Sequence, residues 1–181
     1  MDKKTIHLAL FLSVVGGVCA FLIAYVNSLT MPIIEQRLER ETKQNIERFF
    51  PLVETYDEKT IADNMYETLM VEYTVKAGDE IIGYIYQSKV KGYGGDIQAL
   101  ISFDATNQTL MDIAYIGSFS ETPGFGTRVK EPEFLSQIQN QDVNNLSVDT
   151  LSGATITSKA VKQMIDEANA YYLHETGGAQ S

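Results

Sequence analysis

One cysteine, two histidines and no tryptophan among 181 residues set the first limits on this chain. Cys19 alone makes neither an intrachain disulfide nor an iron–sulfur cluster, which needs several thiolates. His7 and His174 sit near opposite ends of the chain, away from the polar clusters described below, so no histidine stands beside them, and no metal site is expected. Four prolines and thirteen glycines without a period exclude collagen-like and low-complexity architectures. Positive charge is scarce as well. The 14 basic residues face 24 acidic ones, for a net charge of −10, and beyond residue 34 the balance is 12 to 23, net −11. Such a surface repels nucleic acid and offers anionic lipid headgroups nothing to bind.

Charge is absent altogether from Ile6 to Val26. At 1.5 Å per helical residue these positions span about 30 Å, the thickness of a bilayer's hydrocarbon layer. Lys3 and Lys4 precede LALFLSVVGGVCAFLIAYVN, a run longer than a signal-peptide core and without a small-x-small cleavage site before a polar start. An uncleaved transmembrane helix over 6–27 is therefore the expectation, in preference to a removed signal peptide. The two lysines favour a cytoplasmic N-terminus at 1–5, with Arg37, Arg40 and Lys43 on the far side weakening the asymmetry. Gly16-Gly17 suits either the close approach of a second helix or a flexible spot. Cys19 falls mid-membrane, where it acts as a small hydrophobe.

Ile34, Leu38, Thr42, Ile46, Phe49 and Phe50 follow a helical period. They predict a second, membrane-proximal helix with Pro32 in its first turn and Pro51 ending it. Residues 28–70 are thus read as a helical region, with a further short helix around Ile61–Leu69. Strand signals follow. Val71, Tyr73 and Val75 alternate with polar partners, Gly78-Asp79 makes a turn, and Glu80–Val90 resumes the alternation. Ile97–Phe103 and Thr109–Ile116 form a second hairpin. A final helix over Ser158–Tyr172 carries an apolar stripe of Val161, Met164, Ile165, Ala168 and Tyr171 or Tyr172, and 176–181 is read as a frayed tail. The expected fold class is α+β: an antiparallel sheet with flanking helices, preceded by one transmembrane helix, with the main domain at 71–175.

Three polar clusters interrupt this pattern. The first, Gly92-Tyr93-Gly94-Gly95-Asp96, is either a wide hairpin loop or a place where a planar ligand approaches the main chain. It is no Rossmann fingerprint, because no βαβ unit surrounds it. In the second, Glu121-Thr122-Pro123-Gly124-Phe125-Gly126, Pro123-Gly124 suits a type II turn, Glu121 can accept hydrogen bonds from an imide or amide, and Phe125 can cover an aromatic face. The third, Asp149 to Ser158 (DTLSGATITS), combines hydroxyls and small residues with a helix N-terminus, whose free N–H groups and dipole favour a phosphate. Capping by Thr157 or Ser158 explains part of it and leaves Gly153-Ala154-Thr155 unexplained. A hydrolase with Thr155 or Ser158 as nucleophile and Lys159 as base fits neither S-x-x-K nor G-x-S-x-G spacing.

Together, TMPIIEQ after the apolar run, KGYGGDI, ETPGFGTRVKEPEF and DTLSGATITSKAV resemble the covalent FMN-binding domain family. The likeness is to the G subunit of Rnf-type ion-translocating electron transport complexes in particular, with the C subunit of the sodium-pumping NADH:quinone reductase as a relative. It covers essentially the whole chain, and its most specific part is the D-x-x-[ST]-G-A-T signature at 149–155. The resemblance implies FMN esterified through its phosphate to Thr155 by a separate flavin transferase, which takes FMN from FAD with magnesium. It also implies electron transfer among the other subunits of a membrane complex that moves sodium ions or protons. Tyr93, Gly94, Glu121, Thr122, Gly124, Phe125, Asp149, Ser152, Gly153 and Ala154 are then expected around the flavin, with Asp149 shaping the turn or positioning a metal during transfer. Phe125 stands where many relatives have leucine. The alternatives are a stand-alone extracytoplasmic flavoprotein carrier, or a cofactor-free anchored sensor or structural domain.

Overall fold

The computed structural model describes residues 3–62 and 65–177. The chain divides into two compact units between Arg40 and Glu41. The first lies within helix α1 (Lys3–Phe49), which is long and apolar enough to cross a bilayer. Inside the apolar run the Ser13 hydroxyl donates to the Ala9 carbonyl at 2.8 Å, which satisfies the hydroxyl where water is absent. The sequence predicts two helices separated near residue 28, and the structure has one. Pro32 lies inside it, although proline lacks the N–H that the Ser28 carbonyl would otherwise receive. Hydroxyls crowd the same turn. Ser28 donates to the Tyr25 carbonyl at 2.8 Å, and Thr30 donates to those of Val26 and Asn27 at 3.0 and 3.2 Å. These bonds engage the carbonyls of residues 25–27 in the turn before the proline, and the helix runs on through Pro32.

The second unit is built on a six-stranded antiparallel sheet in sequential order. Its strands are β1 (Thr55–Thr60), β2 (Leu69–Ala77), β3 (Glu80–Lys91), β4 (Asp96–Asp104), β5 (Thr109–Ile116) and the two-residue β6 (Gln141–Asp142). The two expected hairpins are both present, with Gly78 at φ +62° turning β2 into β3. The expected helix around Ile61–Leu69 is not seen in its described part. Met65, Glu67 and Thr68 are in turns and Leu69 already opens β2, while Asp63 and Asn64, like 1–2 and 178–181 of the expected terminal segments, lie outside the described residues. β1 is unforeseen because TYDEKT has no apolar alternation and is exposed throughout. Six backbone pairings with β2 hold it, and its charges suit a sheet edge that must not recruit another strand.

One face of the sheet packs under helix α3 (Thr155–Thr176), which follows the one-turn helix α2 (Pro132–Leu135). Tyr86, Ile101 and Phe103 meet Val161, Met164, Ile165, Ala168 and Tyr172 there, the stripe that the sequence shows at helical spacing. Each of the larger aliphatic and phenylalanine side chains contributes roughly 1.5–3 kcal/mol by leaving water. The alternate residues Ile85 and Leu100 are buried on the other face, where the end of α1 closes the chain's second unit. Phe50 lies so close to Gly83 that any Cβ there would overlap its ring. Glu41 accepts the Gly117 N–H at 2.8 Å, and Arg48 stands 3.7 Å from Asp112.

Candidate functional site

The three polar clusters all lie at element boundaries. Residues 92–95 join β3 to β4, closed by the Gly92 N–H donating to the Gly95 carbonyl at 2.8 Å. After β5, Phe125 N–H donates to the Thr122 carbonyl at 3.2 Å, and Gly124 has φ +74°. This is the type II turn expected of Pro123-Gly124. The Thr127 hydroxyl accepts the Gly124 N–H at 2.9 Å, and a 3-10 turn over Gly126–Lys130 follows. A second tight turn precedes α3. The Ala154 N–H reaches the Leu151 carbonyl at 3.1 Å, Gly153 takes φ +81°, and the Arg128 guanidinium pins the Ser152 carbonyl at 2.9 Å.

Glu121 ties these segments together. Its side chain is 5% exposed; Oε1 accepts the Gly94 N–H at 3.0 Å and Oε2 accepts the Thr157 hydroxyl at 2.6 Å. A Cβ at Gly92 or at Gly126 would overlap one of its carboxylate oxygens, so both positions have to be glycine for the loops to close around it. The sequence marks Glu121 as a hydrogen-bond acceptor for a ligand; in the structure each oxygen already has a donor from the protein. A carboxylate oxygen has two lone pairs, so capacity remains.

Around this carboxylate the clusters form a cleft of about 420 Å³, within the roughly 300–1,000 Å³ usual for small-molecule sites. Tyr93, Glu121, Thr122, Phe125, Gly153, Ala154 and Thr155 line it, as grouped from the sequence. Gly94, Gly124 and Ser152 are not among the lining residues; their backbone groups make the bonds just described. Asp149 is exposed away from the lining, its N–H held by Gln137 Oε1 at 2.8 Å, and among the described residues no three-carboxylate or histidine group is placed to hold a metal. Gly126, Ile156 and Thr157 also line the cleft and are not among the residues expected from the sequence. Ile156 had a signal available, as an apolar residue off the helix's buried stripe. Tyr93, Phe125 and Ile156 are 69%, 58% and 57% exposed, an apolar rim.

Capping at α3 differs from expectation. Ala154 is the N-cap and supplies no side-chain bond, while Thr155 is the first helical residue. Thr157 and Ser158 are buried in the first turn. Ser158 Oγ accepts the Leu151 N–H at 3.0 Å and donates to the Ala154 carbonyl at 2.9 Å, stitching the turn to the helix. Thr155 is exposed, and its hydroxyl makes no hydrogen bond among the described residues. An exposed hydroxyl, the unpaired N–H groups of a 22-residue helix and an apolar rim together suit a phosphate ester carrying a flat aromatic group.

Comparison with known proteins points to flavin binding. Residues 92–170 match the FMN-binding domain family, a stretch that includes every cleft-lining residue. The G subunit of the proton-translocating ferredoxin:NAD(+) oxidoreductase complex of Clostridium ljungdahlii is 31% identical over 59% of this chain and 62% of its own length. The G subunit of the ion-translocating oxidoreductase complex of Methanosarcina acetivorans is 24% identical over 97% of this chain and 98% of its own. The C subunit of the Na(+)-translocating NADH-quinone reductase of Vibrio anguillarum is 29% identical over 53% of this chain and 45% of its own. Residues 92–170 thus resemble an FMN-binding domain, and the chain is similar to the G subunits of ion-translocating oxidoreductase complexes and the C subunits of sodium-translocating NADH-quinone reductases.

Proposed function

We propose that this protein is the membrane-anchored flavoprotein subunit of an Rnf-type complex, with FMN held covalently as a phosphoester of Thr155. Its part is to relay electrons between neighbouring subunits while the assembled complex moves ions. The observation that carries this reading is the state of Thr155: exposed on the cleft, without a partner among the described residues, at the first position of α3 and at the end of the DTLSGAT stretch.

The residues present fit the group. The N–H groups of the first turn of α3 and the helix dipole would hold a phosphate diester's negative charge. Gly153, whose position is open apart from the Phe125 ring 3.8 Å from where a Cβ would stand, leaves room for the ester linkage. Tyr93, Phe125 and Ile156 would cover apolar faces of the ring system. When bound, FMN supplies reversible uptake and release of electrons at its isoalloxazine ring. Attachment uses a separate flavin transferase: Thr155 Oγ attacks the flavin-side phosphorus of FAD, the pyrophosphate P–O bond breaks, AMP departs with the electron pair, and the hydroxyl proton passes to the transferase.

The test is a visible spectrum of the full chain, produced together with a flavin transferase and then denatured. Flavin absorption should persist in the unmodified chain, be lost in Thr155→Ala and survive in part in Thr155→Ser. Protein-bound flavin in denatured Thr155→Ala would overturn the assignment.

A further inference from the structure

The start of α3 presents three hydroxyls within four residues, Thr155, Thr157 and Ser158, and two of them, Thr155 and Thr157, line the same cleft. A transferase delivering a phosphoryl group there must choose. Resting on the reading above, we propose that Glu121 is the positioning residue that makes Thr155 the sole acceptor, by holding the Thr157 hydroxyl in a buried carboxylate bond and tying the 92–95 loop to the start of α3.

The three hydroxyls differ in what binds them. Ser158 is fully buried and both accepts and donates within the turn. Thr157 is 2% exposed, and its hydroxyl donates to Glu121 Oε2 at 2.6 Å, in the range of a charge-assisted O–H···O bond. A carboxylate accepting a hydroxyl proton is also the arrangement of a general base, so the Glu121–Thr157 pair viewed alone looks like an activated nucleophile. Burial cancels that. An in-line attack needs the oxygen within about 3–3.5 Å of the phosphorus, and Thr157 Oγ1 is covered by the carboxylate it bonds and by Gly126, where a Cβ would stand 2.9 Å away. The other oxygen of the same carboxylate takes the Gly94 N–H, which fixes the loop at 92–95 to the start of α3. Glu121 thereby removes Thr157 and leaves Thr155 as the open hydroxyl at the mouth of the cleft. The bond made and broken is the one stated for Thr155; Glu121 changes which oxygen makes it.

The test maps flavin position in the full chain, co-produced with a flavin transferase, by fragmentation mass spectrometry of the peptide containing 155–158. Thr155→Ala alone should carry no flavin at Thr157. The double variant Glu121→Ala/Thr155→Ala should carry it there, and Glu121→Ala should divide flavin between the two threonines. The Thr157 share should rise by about tenfold or more, the factor attached to losing one hydrogen bond to a charged group. Glu121→Gln should keep Thr155 selectivity, since its amide oxygen can accept the Gly94 N–H and its NH2 can occupy Thr157. Should the alanine variant not fold, Glu121→Asp keeps the charge but falls one methylene short of Thr157 and should give the same divided product. Flavin at Thr157 in Thr155→Ala alone, or none at Thr157 in folded Glu121→Ala or Glu121→Asp, would overturn the proposal. A parent chain without covalent flavin would instead overturn the function proposed above.

Discussion

Tyr86 shows how single residues are balanced in this domain. Its ring is fully buried between α3 and the sheet, edge-on to Phe103 and Tyr171, and its hydroxyl has no hydrogen-bond partner among the described residues. Leaving such a group unsatisfied costs about 1–3 kcal/mol. Tyr86→Phe should therefore stabilise the full chain by about 1 kcal/mol, read as a higher midpoint in denaturant unfolding; an unchanged or lower midpoint would mean that the hydroxyl is satisfied. Gly126→Ala should act oppositely. Its Cβ would meet Glu121 and Thr157 at once, and overpacking of this kind costs about 1–3 kcal/mol. Unaltered stability and unaltered flavin attachment in that variant would show that the closure around Glu121 is loose. At this scale the candidate site is largely legible in the sequence. Glycines, a Pro-Gly pair and a hydroxyl-rich helix start mark where backbone and ligand can meet, and seven residues of those three clusters line one cleft. The partners of Glu121 are not legible, because they lie 27 and 36 residues away and depend on how β3, β5 and α3 come together.

Among the elements, the hairpins and α3 declare themselves by period, whereas β1 does not, since all six of its side chains are exposed. It is held by position. The Lys59 ammonium donates to the Tyr171 hydroxyl at 3.1 Å and lies 3.2 Å from Glu175 and 3.4 Å from the buried Glu72, joining β1 to the sheet and the end of α3. The Tyr171 hydrogen bond foremost, with Glu175 and Glu72, holds the Lys59 pKa far above the ordinary lysine value. Because the folded value is raised, the stabilisation is fully present below the unfolded lysine pKa of about 10.4 and is lost only as pH rises through the higher folded value. The stability difference between the parent chain and Lys59→Met should then be constant from neutral pH to about 10 and shrink above it. Closure of that gap between neutral pH and about 9 would contradict the assignment. Burial raises the pKa of Tyr86 and Tyr115 as well, so alkaline unfolding should begin as unfolded tyrosine ionises, near about pH 10. The continuity of α1 escapes the sequence for a different reason. Proline reads as a boundary, yet the helix absorbs Pro32 at the loss of a single backbone donor, an outcome that has no periodic signature.

For the whole molecule, the uncharged run in α1 and the acidic remainder fit the proposed flavoprotein domain on a single membrane anchor, and the lysines at 3 and 4 set its proposed direction. In sealed vesicles the region after about residue 28 should be open to protease from the extracytoplasmic side, while digestion from the cytoplasmic side would reverse the orientation and leave the anchor intact. An open cleft with an exposed apolar rim suits exchange with a protein-bound cofactor. The purified, flavin-loaded chain should accept chemical reduction yet leave NADH unoxidised in stopped-flow mixing, with rapid stoichiometric bleaching by NADH marking an independent dehydrogenase instead. The proposed function depends on one proposed covalent bond, so its most direct test is peptide mapping of the parent chain purified from its own membranes. The account predicts that the peptide spanning 149–158 is heavier by one FMN less one water, with the added mass on Thr155; Thr155 recovered unmodified from membranes whose complex is active would contradict it.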